Sequence, residues 1–342
     1  MIGRFRLSNG VVEAVVTDFG ACLQSLKAPD RDGNVAECTL CFESDEDLRV
    51  NKQYMGSTVG RVCNRIGGAS YTVEGVTCKL EANNGPNSIH GGLRGWSHMR
   101  WDFDEKSVVR DDSDRLRQVA FSLMAPSMEG GHFGALRARV QYNLSDDHTL
   151  RILQGAELLE GTPWAVVNIC NHAYFNLSGD PGRTVLDHTL TVNASGYLPL
   201  DENKVPTGEV ASVEETALDF RQPALLGQRV IRANGLDNCL VPEGDGFLRE
   251  VAVLEHAPTG RRLRVFSDKP GVQVYAGEAV PPLCLKEGLF VSRHCGVCLE
   301  TQAFPDAPNK PEWLPQVLLK RNAEGKGGTV TYITEFKLET FA

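Results

Sequence analysis

Apolar residues along this chain recur mainly at every second position, in short runs, of which residues 11–17, 136–144 and 329–336 are the clearest. A two-residue period suits a pleated strand, whose successive side chains leave opposite faces. Between such runs stand Asn9-Gly10, Asp32-Gly33, Asn84-Gly85, Asn234-Gly235 and Thr259-Gly260. Glycine there accepts the positive φ that tight turns require. Helical periodicity is scarce, so the pattern predicts an all-β fold arranged as a large sandwich. No repeat, low-complexity linker or long charge block divides the 342 residues, and residues 1–342 read as one domain. The charged stretch 102–117 reads as an exposed loop or edge hairpin.

Three runs place polar groups on one parity. In residues 166–177, Val167, Ile169, Ala173, Phe175 and Leu177 alternate with Asn168, Cys170, His172, Tyr174 and Asn176. Residues 271–277 set Val272 and Val274 against Gln273 and Tyr275, and residues 296–302 set Val297 and Leu299 against Cys298, Glu300 and Gln302. A sheet with one face on the core and the other lining a cleft would show this, and His172, Gln273 and Glu300 would then share that cleft. A solvated outer face gives the same alternation. Alternation alone favours that solvated face, and Tyr174 and Tyr275 beside the polar groups weaken the preference, because ligand sites combine hydrogen-bonding groups with ring faces. Read alone, His90 in the turn-rich run 83–92 is a structural or surface histidine, and Arg65 an ordinary surface cation.

Composition narrows the partners. Thirty-five Lys and Arg stand against 44 Asp and Glu, a formal charge of −9, which argues against a nucleic-acid partner. The first residues lack an apolar signal-type core, and no run of about 18 apolar residues appears, so neither export nor membrane insertion is expected. A cytoplasmic location follows as the expectation. The ten cysteines are dispersed among apolar neighbours and are expected to be buried, reduced thiols. Cys38/Cys41 and Cys295/Cys298 have a CxxC spacing, but in a strand residues three apart face opposite ways, so neither pair reads as a zinc site.

The same segments, taken in order, resemble the aldose 1-epimerase (galactose mutarotase) family. The likeness starts with Asn9-Gly10, Phe19-Gly20 and Ala28-Pro29-Asp30-Arg31-Asp32-Gly33. It continues with Val59-Gly60-Arg61-Val62-Cys63-Asn64-Arg65-Ile66, the run 83–92, and Asn171-His172-Ala173-Tyr174-Phe175-Asn176-Leu177. Pro206-Thr207-Gly208, Leu236-Asp237, Pro270-Gly271-Val272-Gln273-Val274-Tyr275 and Leu299-Glu300-Thr301-Gln302 follow, and Phe304-Pro305-Asp306-Ala307-Pro308-Asn309 closes the series. Matches in this order cover roughly residues 5–340.

The resemblance implies an antiparallel β-supersandwich and an isomerase acting on a free monosaccharide such as galactose or glucose. It implies Glu300 as general base and His172 as general acid, with Asn64, Arg65, His90, Asp237 and Gln273 binding and orienting the sugar. That replaces the bland readings of His90 and Arg65. No cofactor and no metal are implied, and a monomer or weak homodimer is expected. Catalysis would need Glu300 ionised and His172 protonated, each supporting the other's charge. Three departures bear on sugar preference: Asn238 stands where the family usually has His, Ala173 where a hydroxyl residue is common, and Glu278 where Asn is frequent. Two rivals share the fold. An epimerase of 6-phosphorylated hexoses would need cations beyond Arg65, with Arg61 nearby in sequence; a silent sugar-binding protein would bind without turnover.

Overall fold

The structure, a computed structural model, describes residues 1–244, 246–286, 288–322 and 324–342. It is built from two large antiparallel sheets. In the ten-stranded sheet the spatial order runs from Asp102–Phe103 through Leu116–Ala125, Leu136–Leu144, Thr149–Leu158, Thr329–Thr340, Arg261–Ser267, Arg249–His256 and Thr189–Val192 to Ala224–Leu225. The tenth strand, Val109–Arg110, also pairs with Leu116–Ala125, so the charged stretch 102–117 is edge structure, as its composition suggests. The seven-stranded sheet runs Ala211–Ser212, Ala194–Tyr197, Asp237–Pro242, Gly271–Tyr275, Val297–Gln302, Tyr174–Phe175, Thr39–Leu40. A four-stranded sheet made of residues 4–37 lies N-terminal to both.

Alternation explains how these sheets meet. Leu136, Ala138, Val140, Tyr142 and Leu144 are fully buried, while Arg137 and Arg139 between them are exposed. From the other sheet, Val272, Val274, Val297 and Leu299 enter the same core cluster. Each such Val or Leu contributes about 1.5–3 kcal/mol on leaving water. The turn glycines Gly10, Gly33, Gly85, Gly235 and Gly260 all have positive φ, as the turn dipeptides require. Among the described residues helix is limited to Asp45–Val50, capped by the Ser44 side chain, Leu226–Ala233, ended by a left-handed Asn234, and short 3₁₀ turns. Among the described residues no helix is long and apolar enough to cross a membrane.

Two expectations need correction. Residues 166–177 do not form one strand. They break into Trp164–Val166, Cys170–Asn171 and Tyr174–Phe175, which pair with four different parts of the chain, and every residue from 166 to 177 is buried on both parities. The polar parity is therefore enclosed by other segments rather than left facing water. All ten cysteines are free, but Cys284 is exposed and Cys41 half-buried. Cys284 sits on a two-stranded ladder, Leu283–Lys286 with Leu289–Val291, that buries Leu285 on one side and leaves the alternate position outside.

Candidate active site

Register on the seven-stranded sheet sets the floor of the site. Gln273 lies directly across from Glu300, and Tyr275 lies between Asp237 on one neighbouring strand and Cys298 on the other. Cys298 in turn faces Tyr174, two residues beyond His172. One face thus collects side chains from four stretches of the chain. Over it cross the loops around residues 58–66 and 83–92. Their close packing depends on glycine: a Cβ on Gly60 would run into the Trp96 ring, and one on Gly91 into the Gly60 carbonyl. Asn64 and His90, carried by these loops, both adopt left-handed φ values, 61° and 54°. Non-glycine residues pay for that conformation, and it persists where the surroundings over-determine it. Here each holds the other: His90 N–H donates to Asn64 O at 3.2 Å, and Asn64 N–H donates to His90 Nδ1 at 3.2 Å.

That last bond fixes a tautomer. With Nδ1 accepting, a neutral His90 carries its proton on Nε2 and serves a ligand as a donor. Burial, aided by the nearby His172 and Arg65, holds its pKa well below the usual value, so neutral it stays. A second set of contacts orients the other polar groups. Cys63 Sγ–H donates to Gln302 Oε1 (3.2 Å), Gln302 Nε2 to Gln273 Oε1 (3.3 Å), and Gln273 Nε2 to Asp237 Oδ1 (2.7 Å). Arg65 Nη2 approaches Asp237 Oδ2 at 3.3 Å, while its Nε donates to Asn84 Oδ1 at 3.0 Å. Because each amide in the relay has its oxygen occupied from one side, its NH₂ must point to the next acceptor.

At the centre His172 Nε2 lies 3.4 Å from Glu300 Oε1, with only 4% and 2% of the two residues exposed. The imidazole lies nearly parallel to the rings of Tyr54 and Tyr174, with centroids 6.0 and 5.1 Å away. Charge in this pair differs from the expectation of an ion pair. Burial pushes His172 down to about 4 and Glu300 well above the ordinary carboxylate range. Desolvation penalises both charged forms more than their attraction returns. A neutral imidazole with a protonated carboxyl nevertheless holds the same number of protons as imidazolium with carboxylate. One transfer across the contact converts the first form into the second, so the pair titrates as a unit.

All seven residues singled out from the sequence, Asn64, Arg65, His90, His172, Asp237, Gln273 and Glu300, line one cavity of about 600 Å³. That volume is in the range of small-molecule sites. Its lining mixes hydrogen-bonding groups with the tyrosine rings. A family model described as aldose 1-epimerase matches residues 3–331.

The chain belongs to the aldose 1-epimerase family.

Relatives agree over nearly the whole length. A galactose mutarotase of Bos taurus is 37% identical over 326 residues, 94% of this chain and 91% of that protein. An aldose 1-epimerase of Escherichia coli (strain K12) is 32% identical over 313 residues, covering 90% and 87%. Among solved structures, a GalM/aldose epimerase homologue from C. elegans superposes with a TM-score of 0.88 at 27% identity over 100% of both chains. A galactose 1-epimerase from Lactobacillus acidophilus NCFM gives 0.82 at 26%, covering 100% of this chain and 95% of its own.

Of the three departures from the family pattern, Asn238 and Glu278 line the cavity, whereas Ala173 is packed in the hydrophobic core. Glu278 accepts from Leu236 N–H at 2.5 Å, and burial raises its pKa. Arg61 is no part of the cavity. Its guanidinium is buried under the carbonyls of Gly134 (2.7 Å) and Pro126 (3.2 Å), because only a long fork of donors can satisfy that turn from below. Lys52 and Lys204 line the cavity instead. Sequence reasoning passed over both lysines and Tyr54; an aromatic in a polar loop, as Gln53-Tyr54, was the one signal available for the latter.

Two clusters have donor atoms within 4.8 Å of one another, as a metal site would need. In the first, Cys298 Sγ approaches His172 Nδ1 (3.5 Å) while Glu300 approaches Nε2, opposite edges of the ring that one ion cannot join. In the second, Asp187, His188 and His256, the Leu177 N–H donates to His188 Nε2 at 2.9 Å, which leaves Nδ1 protonated and donating to Asp187. Neither CxxC pair converges: Cys38 donates to Ala36 O, Cys41 to Met55 O, and Cys295 to Gly182 O.

Proposed function

We propose that this protein is an aldose 1-epimerase that interconverts the α and β anomers of free aldohexoses such as galactose and glucose. The observation that carries the reading is the buried His172–Glu300 contact of 3.4 Å in a cavity otherwise lined by hydrogen-bonding groups and tyrosine rings. Opening a cyclic hemiacetal requires removing the proton of the anomeric hydroxyl while delivering one to the ring oxygen. Glu300, once its proton has passed to His172, takes the first; His172 supplies the second. Rotation about the C1–C2 bond then presents the other carbonyl face. Reclosure reverses both transfers, so the pair ends each turnover with the protons it began with. His90 Nε2–H, Arg65, Asn64, Gln273 and Asp237 hold the hydroxyl groups, and their mutual contacts keep the ring within reach of the pair. These groups span residues 64–300, and we take residues 1–342 as one catalytic unit.

The test is polarimetry of freshly dissolved α-galactose and α-glucose. The enzyme is expected to bring rotation to equilibrium faster than buffer; binding without acceleration would leave only a sugar-binding protein. Faster turnover of 6-phosphorylated than of free glucose would transfer the assignment to phosphorylated hexoses, with Lys52 and Lys204 as phosphate ligands. Across pH, kcat/KM should be bell-shaped. Activity is lost when the pair gains a second exchangeable proton, an acid limb near the value of about 4 for His172, and again when it loses its shared proton at higher pH. An acid limb above pH 6 would contradict this protonation scheme.

A further inference from the structure

Beside the acid–base pair lie thiols that the reaction scheme leaves unused. Cys170 Sγ is 3.4 Å from Glu300 Oε2, on the oxygen that does not face His172. Burial pushes this thiol well above its ordinary value, so it keeps its proton and faces Oε2 as a donor, both while Glu300 holds its proton toward His172 and after that proton has passed across. Among the described residues Oε2 has no other hydrogen-bond partner. The last torsion of a glutamate side chain is soft and roughly two-fold, so a carboxylate held at one oxygen swings, whereas one held at both does not.

What keeps the thiol in place lies deeper. Lys269, 1% exposed, donates through Nζ to the carbonyl of Ile169, to Thr301 O at 3.3 Å and to Gln154 Oε1 at 2.9 Å. Three N–H groups meet three acceptors. Ile169 immediately precedes Cys170, and Thr301 immediately follows Glu300, so one buried ammonium ties together the two backbone segments whose side chains make the contact. Cys170 also packs against Val59 and against Cys63, whose own S–H is directed to Gln302 Oε1.

We propose that Cys170 is a positioning residue for Glu300: its S–H, on a segment clamped to the Glu300 strand by Lys269, holds Oε2 so that Oε1 stays turned to His172 and to the anomeric hydroxyl. The proposal rests on Glu300 being the base, and the experiment separates the two. Wild type, Cys170→Ala and Cys170→Ser are compared by polarimetry over pH, alongside thermal melts. Cys170→Ala should lower kcat about ten-fold with KM changed less than about two-fold, the effect of losing one hydrogen bond to a reacting group. Its alkaline limb should move up, since the deprotonated pair loses a neutral S–H donor that favours the carboxylate. Cys170→Ser, which keeps a donor, should recover most of kcat and return the limb. The alkaline limb of Cys170→Ser relative to wild type decides the matter even if Cys170→Ala does not fold: a hydroxyl, the stronger donor, should place it at or below the wild-type position, and a higher position overturns the proposal. An unchanged kcat and limb in folded Cys170→Ala overturn it, as does Cys170→Ser impaired equally with Cys170→Ala while the limb stays put, which would mean packing alone. A wild type that accelerates no aldose sinks the epimerase reading itself; an active wild type indifferent to Cys170→Ala sinks only the role of Cys170.

Discussion

Strands Leu136–Leu144 and Val297–Gln302 alternate in the same way, and each sends its apolar parity into the core between the sheets. Their other faces have nothing in common. On the ten-stranded sheet the outer parity meets water, and its charges make exposed or half-exposed pairs such as Arg139 with Asp104 at 3.2 Å and Arg262 with Glu255 at 2.5 Å. On the seven-stranded sheet, loops from residues 58–66 and 83–92 cross over that face, leaving Gln302 at 0%, Glu300 at 2% and Gln273 at 3% exposure. A solvated pair is screened and nearly replaceable. A buried carboxyl must instead be matched by specific partners, and its proton affinity moves with them. The difference between scaffold and chemistry in this enzyme is thus a difference in what covers a strand, while the strand pattern is shared.

The largest expected effect that sharpens this contrast comes from Glu300→Gln, which keeps shape and removes the charge. Polarimetry should record a loss of about 10²- to 10⁴-fold in kcat, the usual worth of a positioned acid or base. Stability should not fall with it. Burial raises the Glu300 pKa above its unfolded value, so whatever stability this group contributes is present at low pH and is lost as pH rises through the folded pKa. A neutral amide escapes that loss, and the melting temperature at pH 7 should equal or exceed that of wild type; a marked drop would mean that Glu300 is held as a structural carboxylate.

Asp237→Ala comes next. It removes the acceptor of both Gln273 and Arg65, and KM should rise about ten-fold with a smaller change in kcat, as for lost hydroxyl binding. An unchanged KM would take Asp237 out of the binding set. The smallest effect belongs to the outer sheet. Arg139→Ala should cost roughly 0.2–1 kcal/mol by denaturant titration and leave turnover alone. Lost turnover there would break the contrast, because the solvated face would then matter to the reaction.

Much of this is legible in the sequence alone. The two-residue period over 136–144, 271–277 and 296–302 marks the strands Leu136–Leu144, Gly271–Tyr275 and Val297–Gln302 and assigns their core faces correctly, because side-chain direction in a strand is local. Alternation already grouped His172, Gln273 and Glu300, and motif order adds Asn64, Arg65, His90 and Asp237, of which Asn64, Arg65 and His90 lie where no alternation speaks. The ion-pair expectation for His172 and Glu300 failed because it weighed the mutual attraction of the two charges and not the cost of removing both from water. The run 166–177 is not one strand, because its pieces pair with four different segments.

By itself, then, the sequence determined an all-β chain, its turns, the faces that enter the core and the family to which it belongs. Only the tertiary structure decided that the remaining face of one sheet is closed over, that His90 presents Nε2–H, that Arg61 serves a buried turn, and that Cys170 touches Glu300. Periodicity and turn chemistry depend on neighbours in the chain. Burial and proton affinity are sums over neighbours in space, and the Cys170–Glu300 contact joins residues 130 positions apart.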